Sequence, residues 1–226
     1  AFFFSSFFLF FFFSSRRRHT RLLTVTGVQT CAPSDLSQHI FVKNGLLELA
    51  KTKAGISIFE VGMGTGLNVL TSLLEAERSG LEVDYHTIEA YPIDSEEIKL
   101  LNYESQLQME EGTLGRIHQL PWGETRAISE YFQLSKYKFD LLEFEHARKY
   151  DLIYFDAFAP EKQEEMWQDD VFRRLFEALL DGGALVTYCV KGEIRRRLQS
   201  IGFSVEKIAG PPGGKREMCR AWKNRK

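Results

Sequence analysis

Glu60-Val61-Gly62-Met63-Gly64-Thr65-Gly66-Leu67-Asn68 follows an apolar, β-prone run, Ile56–Phe59, and leads at once into a helical pattern. A strand, a glycine-rich turn and a helix in that order build a nucleotide-type pocket at the carboxyl edge of an α/β sheet. Glycine lets the backbone approach a ligand closely and adopt positive φ. The spacing is G-x-G-x-G. A dinucleotide fingerprint would place its third glycine at position 67, which is Leu67. The lysine and hydroxyl of a phosphate-binding P-loop are also missing. No positive residue lies in the loop to hold a phosphate. A second constellation, Asp156-Ala157-Phe158-Ala159-Pro160 with Met166-Trp167 after it, follows another continuous apolar run, Tyr150–Phe155. A carboxylate there would accept a hydrogen bond from an amine nucleophile, orient it and take its proton. Phe158 and Pro160 would wall a flat base.

Other residues join these two by position. Glu60 ends the first strand, where it would either face the ligand or cap the loop amides. Glu89 lies 23 residues past Gly66 at the end of a second β-prone run. An acidic residue about 20 residues beyond such a loop accepts hydrogen bonds from ribose hydroxyls. Trp122 would pack on an adenine ring or sit in the core. Lys191-Gly192-Glu193-Ile194-Arg195-Arg196-Arg197 and the stretch around Lys215-Arg216 supply cations that would hold a polyanion backbone. His39, His86 and His118 stand apart from one another, and no metal site is expected.

The elements that must position these residues alternate. Strands are predicted over Ile56–Val61, Val83–Glu89, Arg116–Leu120, Tyr150–Phe155 and Ala184–Val190, with a short extra one over Phe139–Phe144. Helices are predicted over Leu46–Ala50, Leu67–Arg78, Pro92 to near Leu107, Glu124–Leu134, Gln163–Leu180 and Glu193–Ser200. Phe203–Ile208 and Met218–Trp222 lack a helix between them and should pair as an antiparallel hairpin. Alternation of this kind argues for a doubly wound, mostly parallel sheet.

Composition sets the broad class. The chain has 226 residues, 44% hydrophobic and 27% charged, which suits one soluble α/β domain. The net charge of −2 hides an asymmetry. Lys191–Lys226 holds 11 Lys and Arg against 3 Asp and Glu, a net of +8; Ser37–Val190 holds 14 against 27, a net of −13. A basic end of that kind fits a polyanion such as RNA. Cys31, Cys189 and Cys219 have no metal-ligand spacing, and reduced thiols in a cytoplasmic protein are expected. Ala1–Phe13 is nearly all Phe, followed by Arg16-Arg17-Arg18-His19. Its charge order is wrong for a secretory signal and its length too short for a spanning helix. Residues 1–36 resemble translated sequencing-adapter text and are expected to be foreign to the domain. The domain is expected over 37–226, without its own N-terminal end.

The E-x-G-x-G-x-G form resembles motif I of the class I S-adenosylmethionine (SAM) methyltransferases. SAM has a cationic sulfonium and no phosphate, so an acidic, lysine-free loop suits it. The larger pattern is similar to the family that completes 5-methylaminomethyl-2-thiouridine at the tRNA wobble position (the MnmC methyltransferase domain and stand-alone MnmD). The residues that carry it are Gln38-His39-Ile40-Phe41, Glu60 to Asn68, Asp156 to Pro160 with Trp167, Gly183-x3-Thr187-Tyr188 and Gly214-Lys215-Arg216-Glu217-Met218. The resemblance spans about Ser37–Trp222. It implies a Rossmann-like class I fold, with a seven-stranded, mostly parallel sheet and an antiparallel C-terminal hairpin. It implies methylation of the primary amine of 5-aminomethyl-2-thiouridine. Glu60, Gly62, Gly64, Gly66 and Glu89 would bind SAM, with Trp122 beside the adenine. Asp156 would act on the amine, with Phe158 and Pro160 against the base. Lys191, Lys215 and Arg216 would hold the anticodon arm. No second glycine-rich nucleotide motif follows, so no FAD is expected, and a separate enzyme would supply the aminomethyl substrate. The family's usual stretch upstream of Gln38 is replaced by the foreign-looking text. Two other readings share the residues: a small-molecule amine methyltransferase or aminopropyltransferase on the same fold, and a non-catalytic SAM- or RNA-binding module.

Overall fold

The computed structural model describes residues 33–143, 148–211 and 217–224. The apolar runs become β1 (Gly55–Val61), β2 (Glu82–Ile88), β5 (Tyr150–Phe155) and β6 (Leu179–Thr187), with β4 (Phe132–Tyr137) parallel to β2. β5 is buried at every position, as a central parallel strand must be. β7 (Phe203–Ala209) and β8 (Glu217–Lys223) form the expected antiparallel hairpin, and β8 also runs antiparallel to β6. An additional strand, β3 (Thr125–Ser129), pairs antiparallel with β4. The order is β3-β4-β2-β1-β5-β6-β8-β7. The expectation of seven strands is thus corrected to eight: seven keep the mostly parallel arrangement, and β3 is added at one edge.

Helices cover both faces. On one, α1 (Pro33–Ser37), a π-helical stretch over Gln38–Leu46, α2 (Leu47–Ala50) and α3 (Leu67–Ser79) bury Ile40, Phe41, Leu46, Val69, Leu70 and Leu73 against the sheet. Leu36 packs on this core, and Ser34 and Ser37 are buried. On the other face, α7 (Asp169–Ala178) and α8 (Gly192–Ile201) bury Val171, Phe172, Leu175, Ile194 and Leu198. Between β2 and β3 lie three short helices: α4 (Ser95–Ile98), α5 (Tyr103–Leu107) and α6 (Thr113–Gln119).

Five predicted elements differ. Arg116–Leu120 ends helix α6 instead of forming a strand, because Leu114 and Ile117 bury one helical face at i, i+3. Glu124–Leu134 is not a helix. It holds β3 and the start of β4, joined at Glu130-Tyr131, with Phe132, Leu134 and Lys136 alternating inward. Leu141–Glu143 is a 3-10 turn where a strand was expected, and Phe144 lies outside the described residues. The helix expected over Gln163–Leu180 divides into a 3-10 turn, Glu164–Trp167, and α7, after which Leu179 already belongs to β6. The segment from Pro92 to Leu107 likewise breaks into α4, started by a capping box at Asp94, and α5.

A buried polar cluster sits on the second face. The His86 ring lies between Tyr137 and Tyr150, with Nε2 3.0 Å from Asp84 Oδ1, and Arg148 also pairs with Asp84. The His86 hydrogen bond, helped by the charges of His86 and Arg148, holds the Asp84 carboxyl below the usual carboxylate range. A folded-state pKa below the unfolded value of about 4 means stabilisation that is whole above that value and lost as pH falls through the lowered one. Asp84→Asn should therefore lower the melting temperature at pH 7 and have a smaller effect at pH 3. Thermal melts of both proteins across that range check this; equal shifts at both ends would refute it.

Candidate active site

β1 and β5 are neighbours, with the topological switch between them, and Val61 pairs with Phe155. The glycine loop and Asp156 therefore leave the sheet side by side. A Cβ on Gly62 would lie 3.6 Å from the Asp156 carbonyl oxygen. Val61 also pairs with Ile88, so Glu89 emerges on the loop's other flank. Gly62 N and Met63 N donate to Ile88 O at 3.1 and 3.0 Å, which ties the loop to the end of β2.

Gly62, Gly64 and Gly66 all have positive φ. Gly66, at φ 82°, begins α3, and its carbonyl accepts from Leu70 N at 3.0 Å. Glu89 reaches back over the loop: Oε2 accepts from Gly64 N and Oε1 from Tyr91 N, each at 2.9 Å. Burial pushes its carboxyl up, and these backbone donors partly offset the effect. The structure thus brings Gly62, Gly64, Gly66, Glu89 and Asp156 together around one mouth.

Glu60 is placed differently from a pocket-lining group. It is fully buried and takes a 2.8 Å hydrogen bond from Thr87 Oγ1, not from the loop amides. Among the described residues its Oε1 has no hydrogen-bond partner. Burial pushes its carboxyl up to about 8, and nearby Asp156 adds to the rise. The protonated form of Glu60 is therefore favoured at neutral pH. Asp156, by contrast, is exposed.

Asp156 receives a 3.0 Å hydrogen bond on Oδ2 from Asn68 Nδ2. The loop it opens is held from two sides. Tyr188 OH donates to Ala157 O and Trp167 Nε1 donates to Phe158 O, both at 2.7 Å. Trp167 is itself wedged edge-on against Phe155 and Tyr188. Phe158 and Pro160 are half-buried in this loop, beside Asp156. Tyr188→Phe leaves a buried carbonyl unpaired and should destabilise the fold by about 1 kcal/mol. Urea unfolding checks that value; no change would show that the bond contributes nothing net.

The remaining expected residues lie at the periphery or beyond description. Trp122 is half-buried ahead of β3, and Lys136 Nζ covers its ring at 4.6 Å from the centroid. Lys191 pairs with Glu161. Lys215 and Arg216 lie outside the described residues. Sequence reasoning missed His118, whose Nε2 is 3.1 Å from Thr65 O beneath the glycine loop. It also missed Lys136, which donates to His118 O at 2.8 Å and whose ammonium burial lowers to a pKa of about 8. Among the described residues no group of three or more His, Cys, Asp or Glu could hold a metal ion, and no helix is long and apolar enough to cross a membrane.

The site fits SAM. A Cβ on Gly64 would meet nothing within 4 Å, so the loop has open space above it. The loop carries no cation, while Glu89 and Asp156 face its mouth, which matches a ligand with ribose hydroxyls and a sulfonium charge.

Comparisons with known proteins agree. Residues 133–224 match a family described as S-adenosyl-L-methionine-dependent methyltransferase. The tRNA 5-methylaminomethyl-2-thiouridine biosynthesis bifunctional protein MnmC of Cupriavidus metallidurans is 32% identical over 84% of this chain and 31% of that protein. The MnmC of Leptospira interrogans is 32% identical over 80% of this chain and 30% of that protein. The chain thus spans about a third of the length of these curated relatives. The crystal structure of MnmC2 from Aquifex aeolicus superposes with a TM-score of 0.66 at 25% identity, over 84% of this chain and 60% of that one. The pocket at the switch point, the family match and the relatives agree on one assignment: the chain belongs to the S-adenosyl-L-methionine-dependent methyltransferase family.

Proposed function

We propose that this chain methylates the primary amine of 5-aminomethyl-2-thiouridine at the tRNA wobble position, giving 5-methylaminomethyl-2-thiouridine. The observation that carries the reading is an exposed Asp156 carboxylate, beside the glycine loop and fixed by Asn68, on a loop that also presents Phe158 and Pro160. When bound, the cofactor supplies a methyl carbon on a sulfonium that departs as a neutral thioether. Gly62, Gly64 and Gly66 would let it approach the backbone, and Glu89 would exchange its bond to Gly64 N for ribose hydroxyls. An amine attacks only through a neutral lone pair held in line with the carbon. Asp156 accepts a hydrogen bond from that nitrogen, aims its lone pair and takes the proton lost when the new C–N bond forms. Phe158 and Pro160 would line the base.

The substrate assignment is supported by the MnmC relatives and by the charge distribution. The basic C-terminal end, with Lys191, Lys215 and Arg216, would contact the anticodon arm through its phosphates. Lys191 would leave Glu161 to do so. On this reading a separate enzyme supplies the aminomethyl nucleoside. The setting is the cytoplasm, which suits the buried cysteines Cys189 and Cys219.

Nucleoside mass spectrometry tests the proposal. The full chain is incubated with methyl-labelled SAM and tRNA that stops at the aminomethyl stage. Label in 5-methylaminomethyl-2-thiouridine is the expected result. Label absent from the tRNA while SAM binds would refute the substrate. Label on a free amine instead would assign the fold to small-molecule chemistry.

A further inference from the structure

The Asp156 carboxylate is not positioned by its own loop alone. Asn68, two residues into the turn-to-helix junction after Gly66, is 5% exposed and spends both ends of its amide on side chains from other elements. Nδ2 donates to Asp156 Oδ2 at 3.0 Å, across 88 residues of chain. Oδ1 accepts from Ser37 Oγ at 2.5 Å, across 31 residues. Ser37 Oγ in turn lies 3.0 Å from Thr71 Oγ1, and both hydroxyls are buried.

The chemistry of the end group sets the direction of this chain. A carboxylate only accepts, so the amide must turn its NH2 to Asp156 and its oxygen to Ser37. An amide oxygen only accepts, so Ser37 must give its single proton to Asn68. Thr71 is then the donor to Ser37, and its single proton is shared with the Leu67 and Asn68 carbonyls at 3.1 and 3.2 Å. The polar groups thus align from α1 and α3 toward one carboxylate. A half-satisfied network of this kind, being buried, would be worse than an apolar one, whereas a fully satisfied one rigidifies.

We infer that Asn68 is a positioning residue for Asp156 in methyl transfer, and that Ser37, from the helix ahead of the glycine loop, locks the Asn68 amide in the orientation that does this. The inference rests on the proposed role of Asp156 and adds what fixes it. Asn68 touches the carboxylate on Oδ2. It acts on the angle of the acceptor, not on cofactor binding. Glu60, Tyr85 and Tyr188 are titratable groups that feel the Asp156 charge, and the first two are enclosed in the same core.

The test is a double-mutant cycle on the full chain, read by single-turnover methyl transfer to aminomethyl-bearing tRNA and by calorimetric SAM binding. Asn68→Ala should slow transfer by about 10- to 100-fold, the range for a misplaced reacting group, with the SAM dissociation constant within about twofold. Ser37→Ala should slow it by about fivefold, the worth of one hydrogen bond, and Ser37→Thr, which keeps the hydroxyl, should recover most of that loss. In an Asp156→Asn background, Asn68→Ala should produce almost no further slowing, because a residue that acts only through Asp156 has nothing left to position. Multiplying effects would overturn the inference, as would wild-type rates for Asn68→Ala beside a slow Asp156→Asn. A collapse of SAM binding in Asn68→Ala would assign Asn68 to the loop instead. A wild-type rate for Asp156→Asn alone would remove the reading of Asp156, and the inference with it.

Discussion

Asp156→Asn should slow methyl transfer by about 10²- to 10⁴-fold, the usual contribution of a positioned acid–base group, and leave SAM affinity within about twofold. The split follows from where the residue sits. Asp156 follows the last residue of β5, which pairs with the last residue of β1, so its carboxylate stands beside the glycine loop without belonging to it. On the proposed reading the loop's backbone and Glu89 bear the cofactor contacts, and an isosteric amide at 156 disturbs neither. The amide does lose the carboxylate that, on the same reading, takes the amine's proton. It also meets Asn68 Nδ2 with an amide that can point its own NH2 the wrong way. Glu60 cannot stand in. It is enclosed beneath the sheet edge, is bonded to Thr87 and retains its proton at neutral pH. Rapid-quench kinetics with tRNA in excess, beside calorimetry with SAM, measures both quantities. A loss in SAM affinity that matched the loss in rate would show that the carboxylate binds cofactor instead of moving a proton.

What the chain's linear order reveals depends on how local the cause is. The glycine loop is legible because three glycines within five residues state a backbone requirement directly, and each has the positive φ that the spacing implies. β1 and β5 are legible because a strand buried on both faces must be apolar throughout, and the pairing of their last residues then brings Gly62 and Asp156 together. β3 and β4 are not legible. Thr125-Arg126-Ala127-Ile128-Ser129 is polar and mostly exposed, so an edge strand there resembles a helical surface until its pairing with β4 is known. Trp122 shows the same limit in the site. Its position after a supposed strand allows an adenine platform or a place in the core; the fold makes that stretch helix α6 and lays Lys136, 14 residues away, over the ring. Asn68 stands in the open beside the loop motif, but Ser37 and Asp156, which give it a role, lie 31 residues before it and 88 after it. Glu60 reads as a loop residue, and only three-dimensional burial separates it from Asp156.

Gly66→Val and Gly64→Ala should separate the two demands on the glycine loop. Gly66 holds φ at 82°, and a Cβ there would sit 3.1 Å from His118 Nε2 and 3.2 Å from Leu114 Cδ1. Left-handed backbone costs a residue with a side chain about 1–2 kcal/mol, and more when the side chain is β-branched. The two contacts add to this, because α6 is held against the loop by the His118 bond to Thr65 O and by the buried Leu114 and Ile117. A total near 3 kcal/mol would lower the melting temperature by roughly 6–12 °C in a domain of this size. SAM affinity should fall at least about tenfold as the start of α3 shifts. At Gly64 the same backbone penalty applies, at φ 51°, but an added Cβ meets no protein atom within 4 Å. Gly64→Ala should therefore lower stability by only about 1 kcal/mol. The methyl would instead project into the open space above the loop, next to the amide that Glu89 holds. Its effect should fall on SAM affinity, about tenfold or more, by occupying volume the ligand needs. Thermal melts and calorimetry on both variants make the comparison. Equal losses of stability would show that Gly64 serves the fold, and unchanged SAM binding by Gly64→Ala would move the cofactor away from this loop.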